Sequence, residues 1–182
     1  MLLFNFIPFP ELETDRLLLR RMNMADAPEM FFLRSDESVL KYIGKEPAKT
    51  IHEAEAFIEK IDAGIVSGIS IMWAITLKEN PEKMIGTICY WNMQPEHFRS
   101  EIGFLLHPDH WRKGIMKEAI SKILDYGFST IKLHSIEARV HVDNKASASV
   151  LEFCGFKKEG LLKEDFYFNG EFLDTLIFSR LQ

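Results

Sequence analysis

The stretch SEIGFLLHPDHWRKGIMKE, residues 100–118, predicts a strand, a turn and a helix in direct succession. An apolar strand with one glutamate ends at His107-Pro108, and a helix begins straight after Gly114. A helix that starts in this way directs unpaired backbone N–H groups and a positive dipole end toward one point, which suits a phosphate. Arg112, Lys113 and Lys117 add formal positive charge there. The pattern therefore predicts an anionic ligand at the turn.

The composition limits the class of protein to which this turn can belong. At 182 residues, the chain is expected to form one domain, residues 1–182, with a substantial core. Hydrophobic residues make up 47% and charged residues 27%, which is usual for a soluble globular protein. The net charge of -5 argues against a broad nucleic-acid-binding surface, so the basic turn is a local feature of an acidic protein.

The termini and cysteines predict a cytoplasmic protein. Residues 1–14 are apolar, but the segment is short, contains Pro8 and Pro10, and lacks a basic region. It fits neither a signal peptide nor a membrane span. Cys89 and Cys154 lie in apolar segments far apart in sequence, and we expect buried free thiols in a reducing compartment.

Hydrophobic periodicity predicts strands that alternate with helices. A helix is expected from Asp26 with Pro28 in its first turn, and Thr50 with Glu53 has the spacing of a capping box. Asn80-Pro81 and Asn169-Gly170 are expected to form hairpin turns. The predicted strands are 16–20, 70–77, 84–90, 98–106, 134–142, 156–163 and 171–180, and the predicted helices are 26–33, 50–64, 115–127 and 147–153. An α/β or α+β domain with a partly parallel sheet fits this order.

Five segments resemble the GNAT acyltransferase superfamily, in particular the branch of the ribosomal-protein N-terminal-alanine acetyltransferases. They occur in the family's order and at its intervals between residues 13 and 181: TDRLLLR at 14–20, EIGF at 101–104, WRKGIMKEA at 111–119, NKAS at 144–147 and GF at 155–156. The resemblance implies a mixed, mostly antiparallel twisted sheet with a central parallel strand pair that splays apart. About four helices would flank this sheet.

The resemblance also implies a site for acetyl-CoA. The pantetheine arm would enter between strands 98–106 and 134–142 and bond to the backbone of Phe104, Leu105 and Leu106. The pyrophosphate would lie on the turn, whose implied ligand-binding residues are Arg112, Lys113, Gly114, Ile115, Met116 and Lys117. Two positions depart from the superfamily. Trp111 replaces a usual Gln or Arg, although this branch often has Trp, and Met116 replaces a small residue, so its side chain must point away from the phosphates.

Glu101 is the candidate general base for amine acetylation. It interrupts an apolar strand, and a carboxylate near the strand gap could take a proton directly or through water. A structural role is the alternative, either on a solvated strand face or in an ion pair with Arg99 or Arg139. An α-amino group, with a pKa of about 7.7–8.0, needs less help than a lysine, with a pKa of about 10.4.

Asn144 and Ser147 each have two interpretations. Asn144 could serve only as the N-cap of the helix that follows, and Ser147 only as a polar residue of its first turn. The family pattern places both beside the pantetheine. There the Asn144 amide would bond to the arm, and the Ser147 hydroxyl would donate a proton to the departing thiolate.

Neither a metal site nor a covalent intermediate is expected. His107 and His110 have no third ligand nearby, and Pro108 prevents a helix between them. Cys154 ends an apolar helix with no histidine close in sequence. We therefore expect direct transfer from the coenzyme to the amine. Trp111 is interpreted as a core anchor.

The acceptor is the least determined part of the prediction. Its pocket should use the two N-terminal helices, residues 91–97 and residues 163–170, with Glu37 or Asp165 available to a cationic acceptor. The leading hypothesis is N-acetylation of a protein or peptide N-terminus. The alternatives are acetylation of a polyamine, amino acid or aminoglycoside, or an acyl-CoA sensor without turnover. No nucleic-acid or membrane partner is expected, and a homodimer stays open. A nucleotide-binding protein would require a Gly-rich Lys-Ser/Thr loop, which the sequence lacks.

Overall fold

The computed structural model describes residues 2–182, in which eight strands form one sheet and five α-helices pack against it. The strands are β1 (Leu12–Glu13), β2 (Leu17–Arg20), β3 (Ile71–Leu77), β4 (Asn80–Gln94), β5 (Arg99–Leu106), β6 (Ser135–His141), β7 (Lys157–Phe168) and β8 (Glu171–Leu181). The helices are α1 (Ala27–Ser35), α2 (Glu37–Leu40), α3 (Ile51–Val66), α4 (Ile115–Ser129) and α5 (Lys145–Phe153).

The sheet has the order β1-β2-β3-β4-β5-β6-β8-β7. Its neighbouring strands are antiparallel except for β5 and β6, which are parallel and lie near the middle. The right-handed crossover expected for such a pair contains α4. The predicted fold class is confirmed. The helix count exceeds the predicted four because α2 is an extra four-residue helix.

The two faces of the sheet carry separate layers of helix. Successive residues of a strand point to opposite faces, so Trp73 and Ala74 belong to different hydrophobic clusters. The Trp73 cluster includes Ile120 of α4, and the Ala74 cluster includes Met30 of α1 and Ile58 of α3. Among residues 2–182, no helix is both long enough and apolar enough to cross a membrane.

The predicted start of the first helix is wrong in its cap. Asp26 does not cap α1, because its buried carboxylate binds the Arg20 guanidinium at 2.6 and 2.8 Å. Asn23 caps a 3₁₀ turn before α1 instead, and the Asp26 carboxylate accepts the Asn23 N–H at 2.9 Å. The charge on Arg20 holds Asp26 more strongly than a helix end would.

The predicted capping box of α3 and one predicted hairpin turn also differ. The side chain of Thr50 makes no cap hydrogen bond, and Glu53 accepts the Lys49 N–H at 3.3 Å, so a reciprocal capping box does not form. The β3–β4 turn is residues 78–79, and Asn80-Pro81 already belongs to β4. Leu77 pairs with Asn80, which leaves a two-residue turn between β3 and β4. The Asn169-Gly170 turn is confirmed, with φ of 50° and 86° as a tight hairpin requires.

Candidate active site

β5 and β6 pair at one end and separate toward their C-terminal ends. Their pairing joins residues 99–101 of β5 to residues 135–137 of β6. Beyond those positions β5 runs to Leu106 and β6 to His141 without pairing to each other. The separation contributes to a cavity of about 590 Å³, lined on this side by Gly103, Phe104 and Val140. The structure thus contains a gap between the two central parallel strands.

The backbone of β5 presents alternate residues to this gap. The His107 N–H donates to the Ile85 carbonyl on β4 at 2.8 Å. Hydrogen-bonded pairs recur at every second residue of an antiparallel ladder, so the register turns the backbone groups of Leu105 toward β4 as well. Those of Phe104 and Leu106 then face the gap. The family resemblance implied backbone contacts of three residues with pantetheine. Two of them, Phe104 and Leu106, have backbone groups that face the gap.

Trp111 ties the end of β5 to the turn that follows. Its indole Nε1 donates to the Leu106 carbonyl at 2.8 Å, while 43% of the residue is exposed. The interpretation of Trp111 as a core anchor is therefore wrong, because the ring fastens a surface turn through a hydrogen bond. The Leu106 carbonyl is engaged, which leaves the Leu106 N–H and both backbone groups of Phe104 facing the gap.

The turn before α4 presents a set of unpaired N–H groups. Gly114 adopts a left-handed conformation with φ of +75°, which favours glycine, and precedes the first residue of the helix. The Glu118 N–H donates to the Gly114 carbonyl at 3.1 Å, the first bond of the α4 ladder. The N–H groups of residues 115–117 thus have no partner within the helix. These groups lie at the turn for which the sequence predicts an anionic ligand.

The side chains of this turn divide into two groups. Ile115 and Met116 are 4% and 9% exposed and pack in the core, so Met116 points away from the turn as its size requires. Arg112 and Lys113 are exposed. The Lys117 Nζ lies 3.2 Å from the centroid of the Phe153 ring on α5. Backbone groups and basic side chains are both available to an anion here.

A clamp that the sequence did not predict holds the turn from the other side. Glu118 accepts the Arg16 N–H at 3.0 Å and the Arg16 Nε at 2.7 Å, and it also accepts the Thr14 hydroxyl. The Arg16 Nη1 donates to the Lys113 carbonyl at 3.0 Å. These bonds hold the pKa of the Glu118 carboxyl below its usual value despite partial burial. The TDRLLLR motif was a visible signal, but its partner lies 102 residues away.

Glu101 is buried and lines the cavity, with 5% of its surface exposed. Both arginines that could have paired with it have other partners. Arg99 binds Glu137 and Arg139 binds Asp165. Among residues 2–182, Glu101 forms no ion pair, so the interpretation as a structural salt bridge loses its support.

Burial raises the pKa of the Glu101 carboxyl. Asn92, Arg139 and Arg99 oppose this effect, but burial is the largest cause and the direction is upward. A carboxylate with a raised pKa holds a proton more readily than an exposed glutamate does. This property suits a group that accepts a proton during turnover.

Asn144 caps α5, as one of its two interpretations expected. Its Oδ1 accepts the Ser147 N–H at 3.1 Å, which leaves the Asn144 Nδ2 amide available. Both residues line the cavity. Within residues 2–182, the Ser147 hydroxyl has no hydrogen-bond partner of its own.

The thiols and histidines show no arrangement for another chemistry. Cys89 and Cys154 are free, and burial raises the pKa of the Cys89 thiol to about 12. Burial also raises the pKa of Cys154, which is only partly buried. His107 and His110 have ring centroids 6.2 Å apart. No group of three or more His, Cys, Asp or Glu residues in the described chain could hold a metal ion.

The side of the cavity where the sequence predicts the acceptor is formed by α1, α3, the segment between them and the β7–β8 hairpin. Both predicted helices contribute, as do residues 165, 166 and 168, whereas residues 91–97 contribute Trp91. Glu37 is not part of the lining, and Asp165 is already paired with Arg139. Arg34 of α1 lines this wall and was not singled out in the sequence, because an arginine on a helix gives no local signal of a ligand.

Comparison with known proteins agrees with this geometry. A family model described as an acetyltransferase (GNAT) domain matches residues 16–157. The uncharacterized N-acetyltransferase YoaA of Bacillus subtilis is 40% identical over 171 residues, covering 94% of this chain and 96% of the relative.

Two solved structures resemble the chain over nearly its whole length. The spermidine N-acetyltransferase of Vibrio cholerae, solved with CoA and spermine, has a TM-score of 0.81 at 27% identity, covering 93% of this chain and 97% of that one. The ribosomal-protein-S5-alanine acetyltransferase of Vibrio fischeri has a TM-score of 0.83 at 25% identity, covering 94% and 96%. The chain therefore belongs to the GNAT family of acetyl-CoA-dependent N-acetyltransferases.

Proposed function

We propose that residues 1–182 act as one acyl-CoA N-acyltransferase domain that acetylates the α-amine of a protein or peptide N-terminus by direct transfer. Acetyl-CoA supplies the acetyl group as an activated thioester when it is bound. The observation that carries the proposal is the buried Glu101 carboxylate, which forms no ion pair within residues 2–182 and lies where β5 and β6 begin to separate.

In this proposal Glu101 takes the proton of the incoming amine, directly or through water. A neutral amine is required for attack, and an α-amine reaches that state near neutral pH with modest help. The raised pKa of Glu101 brings the proton affinity of its carboxylate closer to the proton affinity of the amine. Ser147 donates a proton to the departing thiolate, a role supported by its free hydroxyl in the cavity lining.

The residues around the gap fit the donor. The backbone of Phe104 and the N–H of Leu106 would bind the pantetheine arm, and the Asn144 Nδ2 would donate to it. The N–H groups of residues 113–117 would receive the pyrophosphate, with Arg112, Lys113 and Lys117 adding charge. The backbone of Leu105 is turned toward β4, so this residue would contact the arm through the side chain that lines the cavity.

The choice of an N-terminal acceptor is supported by the similarity to the ribosomal-protein-S5-alanine acetyltransferase of Vibrio fischeri, which is 25% identical to this chain. A polyamine is the second candidate, because a spermidine N(1)-acetyltransferase of Vibrio cholerae is 27% identical over 88% of this chain. A panel of N-terminal peptides, spermidine, amino acids and aminoglycosides, with mass detection of the acetylated product, separates these acceptors. Acetyl-CoA binding without thiol release for any amine would favour a sensor over an enzyme.

The test of the mechanism is the Glu101→Gln variant. Loss of a general base should lower kcat by about 10²–10⁴-fold while acetyl-CoA affinity, measured by calorimetry, stays at the wild-type value. Glu59→Gln is the matched control, because it removes a carboxylate from the exposed face of α3. Wild-type turnover in Glu101→Gln would remove this residue from the mechanism.

A further inference from the structure

Arg34 is a cation of the cavity wall without an anionic partner. It lies in the last turn of α1 and lines the acceptor side of the cavity. Its Nε is buried and has no hydrogen-bond partner, the one side-chain atom of residues 2–182 in that condition. Arg20, which is buried as a whole residue, instead binds Asp26 through two hydrogen bonds. Arg20 therefore has an anionic partner, whereas Arg34 has none within the described residues.

The guanidinium of Arg34 packs over an aromatic ring. Its central carbon lies 3.9 Å from the centroid of the Phe57 ring on α3, and this cation–π contact restricts the positions that the group can take. Partial burial lowers the pKa of Arg34, and Glu53 opposes this effect only through space. An arginine nevertheless keeps its charge in a protein, so burial without a partner carries a free-energy cost. An oriented donor of this kind is complementary to a planar anion.

The same wall carries further positive charge. Lys41 and Lys45 also line the cavity, and within the described chain neither forms an ion pair. Glu46 is the acidic residue of that segment in the lining. On this side of the cavity the three cations outnumber Glu46, whereas Asp165 and Asp174 belong to the β7–β8 side and Asp165 is paired with Arg139. The cation-rich side attracts an acidic group rather than a polycation.

We propose that Arg34 binds a carboxylate of the acceptor, so that the enzyme selects amines whose first residues after the N-terminus include aspartate or glutamate. The inference rests on the proposed N-terminal acetyltransferase activity and names its substrate class. The α-amine then faces Glu101 while the acidic side chain reaches the α1 wall. Lys41 and Lys45 attract such an acceptor, whereas Arg34 orients it.

The test compares three peptides that share an N-terminal alanine and differ in the next three residues. These residues are glutamates, glutamines or lysines. Wild-type kcat/KM should be about tenfold or more higher for the glutamate peptide than for the glutamine peptide, because hydrogen bonds between charged groups exceed neutral ones. Arg34→Gln should abolish the difference, Arg34→Glu should reverse it in favour of lysine, and Arg34→Lys should keep part of it.

Two controls isolate the role of Arg34. Lys60→Gln removes a positive charge from exposed α3 outside the cavity lining and should keep the wild-type preference. The KM for acetyl-CoA should stay unchanged in Arg34→Gln, since a rise would assign Arg34 to the coenzyme and overturn the proposal. Melting curves exclude misfolding, and Arg34→Lys serves as the folded comparison if Arg34→Gln is unstable.

The possible outcomes separate this inference from the proposed function. If small amines are acetylated and peptides are not, the N-terminal function fails, and the same charge comparison is made with glutamate, glutamine and spermidine. If no amine is acetylated, calorimetric binding of the three peptides to the protein–CoA complex supplies the comparison. Equal values for acidic and neutral acceptors, or a preference that survives Arg34→Gln, would overturn the role of Arg34.

Discussion

Glu101 connects the burial of one carboxyl group to the pH dependence of the whole enzyme. Because burial raises the pKa of Glu101 above the usual range of a glutamate, acidification removes the ionised base at a higher pH than it would for an exposed carboxyl group. The acid limb of kcat at saturating acceptor should therefore lie above the usual carboxyl range in the wild type and disappear in Glu101→Gln, whereas protonation of the acceptor α-amine shapes kcat/KM in both proteins. A rate profile across the acidic and neutral range checks this. An unchanged acid limb in Glu101→Gln would assign the titration to another group.

The same pKa shift predicts a change in stability with a definite sign. The folded state holds the Glu101 proton to a higher pH than the unfolded state does. The resulting stabilisation is present below pH 4.5 and is lost as the pH rises through the folded pKa. Wild type should therefore lose stability relative to Glu101→Gln across that window. Urea denaturation of both proteins, with Glu59→Gln alongside, measures the difference, and parallel curves would contradict the prediction.

Substitutions at Asn144 and Ser147 distinguish a helix-capping role from a catalytic role. Ser147→Ala keeps the N–H that Asn144 accepts, so the melting temperature should not change, while kcat should fall by about 10²-fold. Asn144→Ala should instead cost about 1 kcal/mol of stability through the lost cap and raise the KM for acetyl-CoA. Thermal melts and steady-state kinetics distinguish the two. Wild-type turnover in Ser147→Ala would indicate that water protonates the thiolate.

At the scale of elements, the clamp between β2 and the turn before α4 governs the donor site. Arg16 is half exposed, so its ion pair with Glu118 at 2.6 Å should add only about 0–1 kcal/mol to stability. Its hydrogen bond to the Lys113 carbonyl orients the turn, however, and Arg16→Gln should raise the KM for acetyl-CoA about fivefold with kcat retained. Arg21→Gln, which breaks the exposed pair with Asp62, is the control. Equal KM values in both variants would contradict this role.

The elements also show where prediction from the sequence ends. Hydrophobic periodicity located every long strand and helix, because the burial of one face determines the order of apolar and polar residues within the segment. α1 and α3 begin directly after Asp26 and Thr50, as predicted, but neither side chain makes the expected cap hydrogen bond. Asp26 binds Arg20 instead, a partner that periodicity does not reveal. The strand gap followed from family resemblance, and its extent followed from the register of β5 and β6. The Arg16–Glu118 clamp and the unpaired Arg34 depend on tertiary approach, which one sequence does not encode locally.

At the scale of the whole molecule, the sheet is continuous on both sides of an internal opening. β4 supports β5 along its length, and β8 supports β6 from residue 135 to residue 141. Two helical layers hold these halves in place. The gap therefore has rigid walls, and a donor can enter it without breaking strand pairs. Binding should appear as new protection of exposed backbone groups.

Hydrogen exchange with saturating acetyl-CoA tests this arrangement across the chain. The amides of Phe104 and Leu106 and those of residues 113–117 lack partners in the sheet or helix, so they should exchange rapidly in the free protein and slowly in the complex. ADP, which carries a pyrophosphate without a pantetheine arm, should protect the turn alone. Residues 51–60 of α3 should respond to neither ligand. Acetyl-CoA at 100 times its Kd should also raise the free energy of unfolding by about 2.7 kcal/mol. Protection at the turn without protection at Phe104 and Leu106 under acetyl-CoA would place the thioester outside the strand gap.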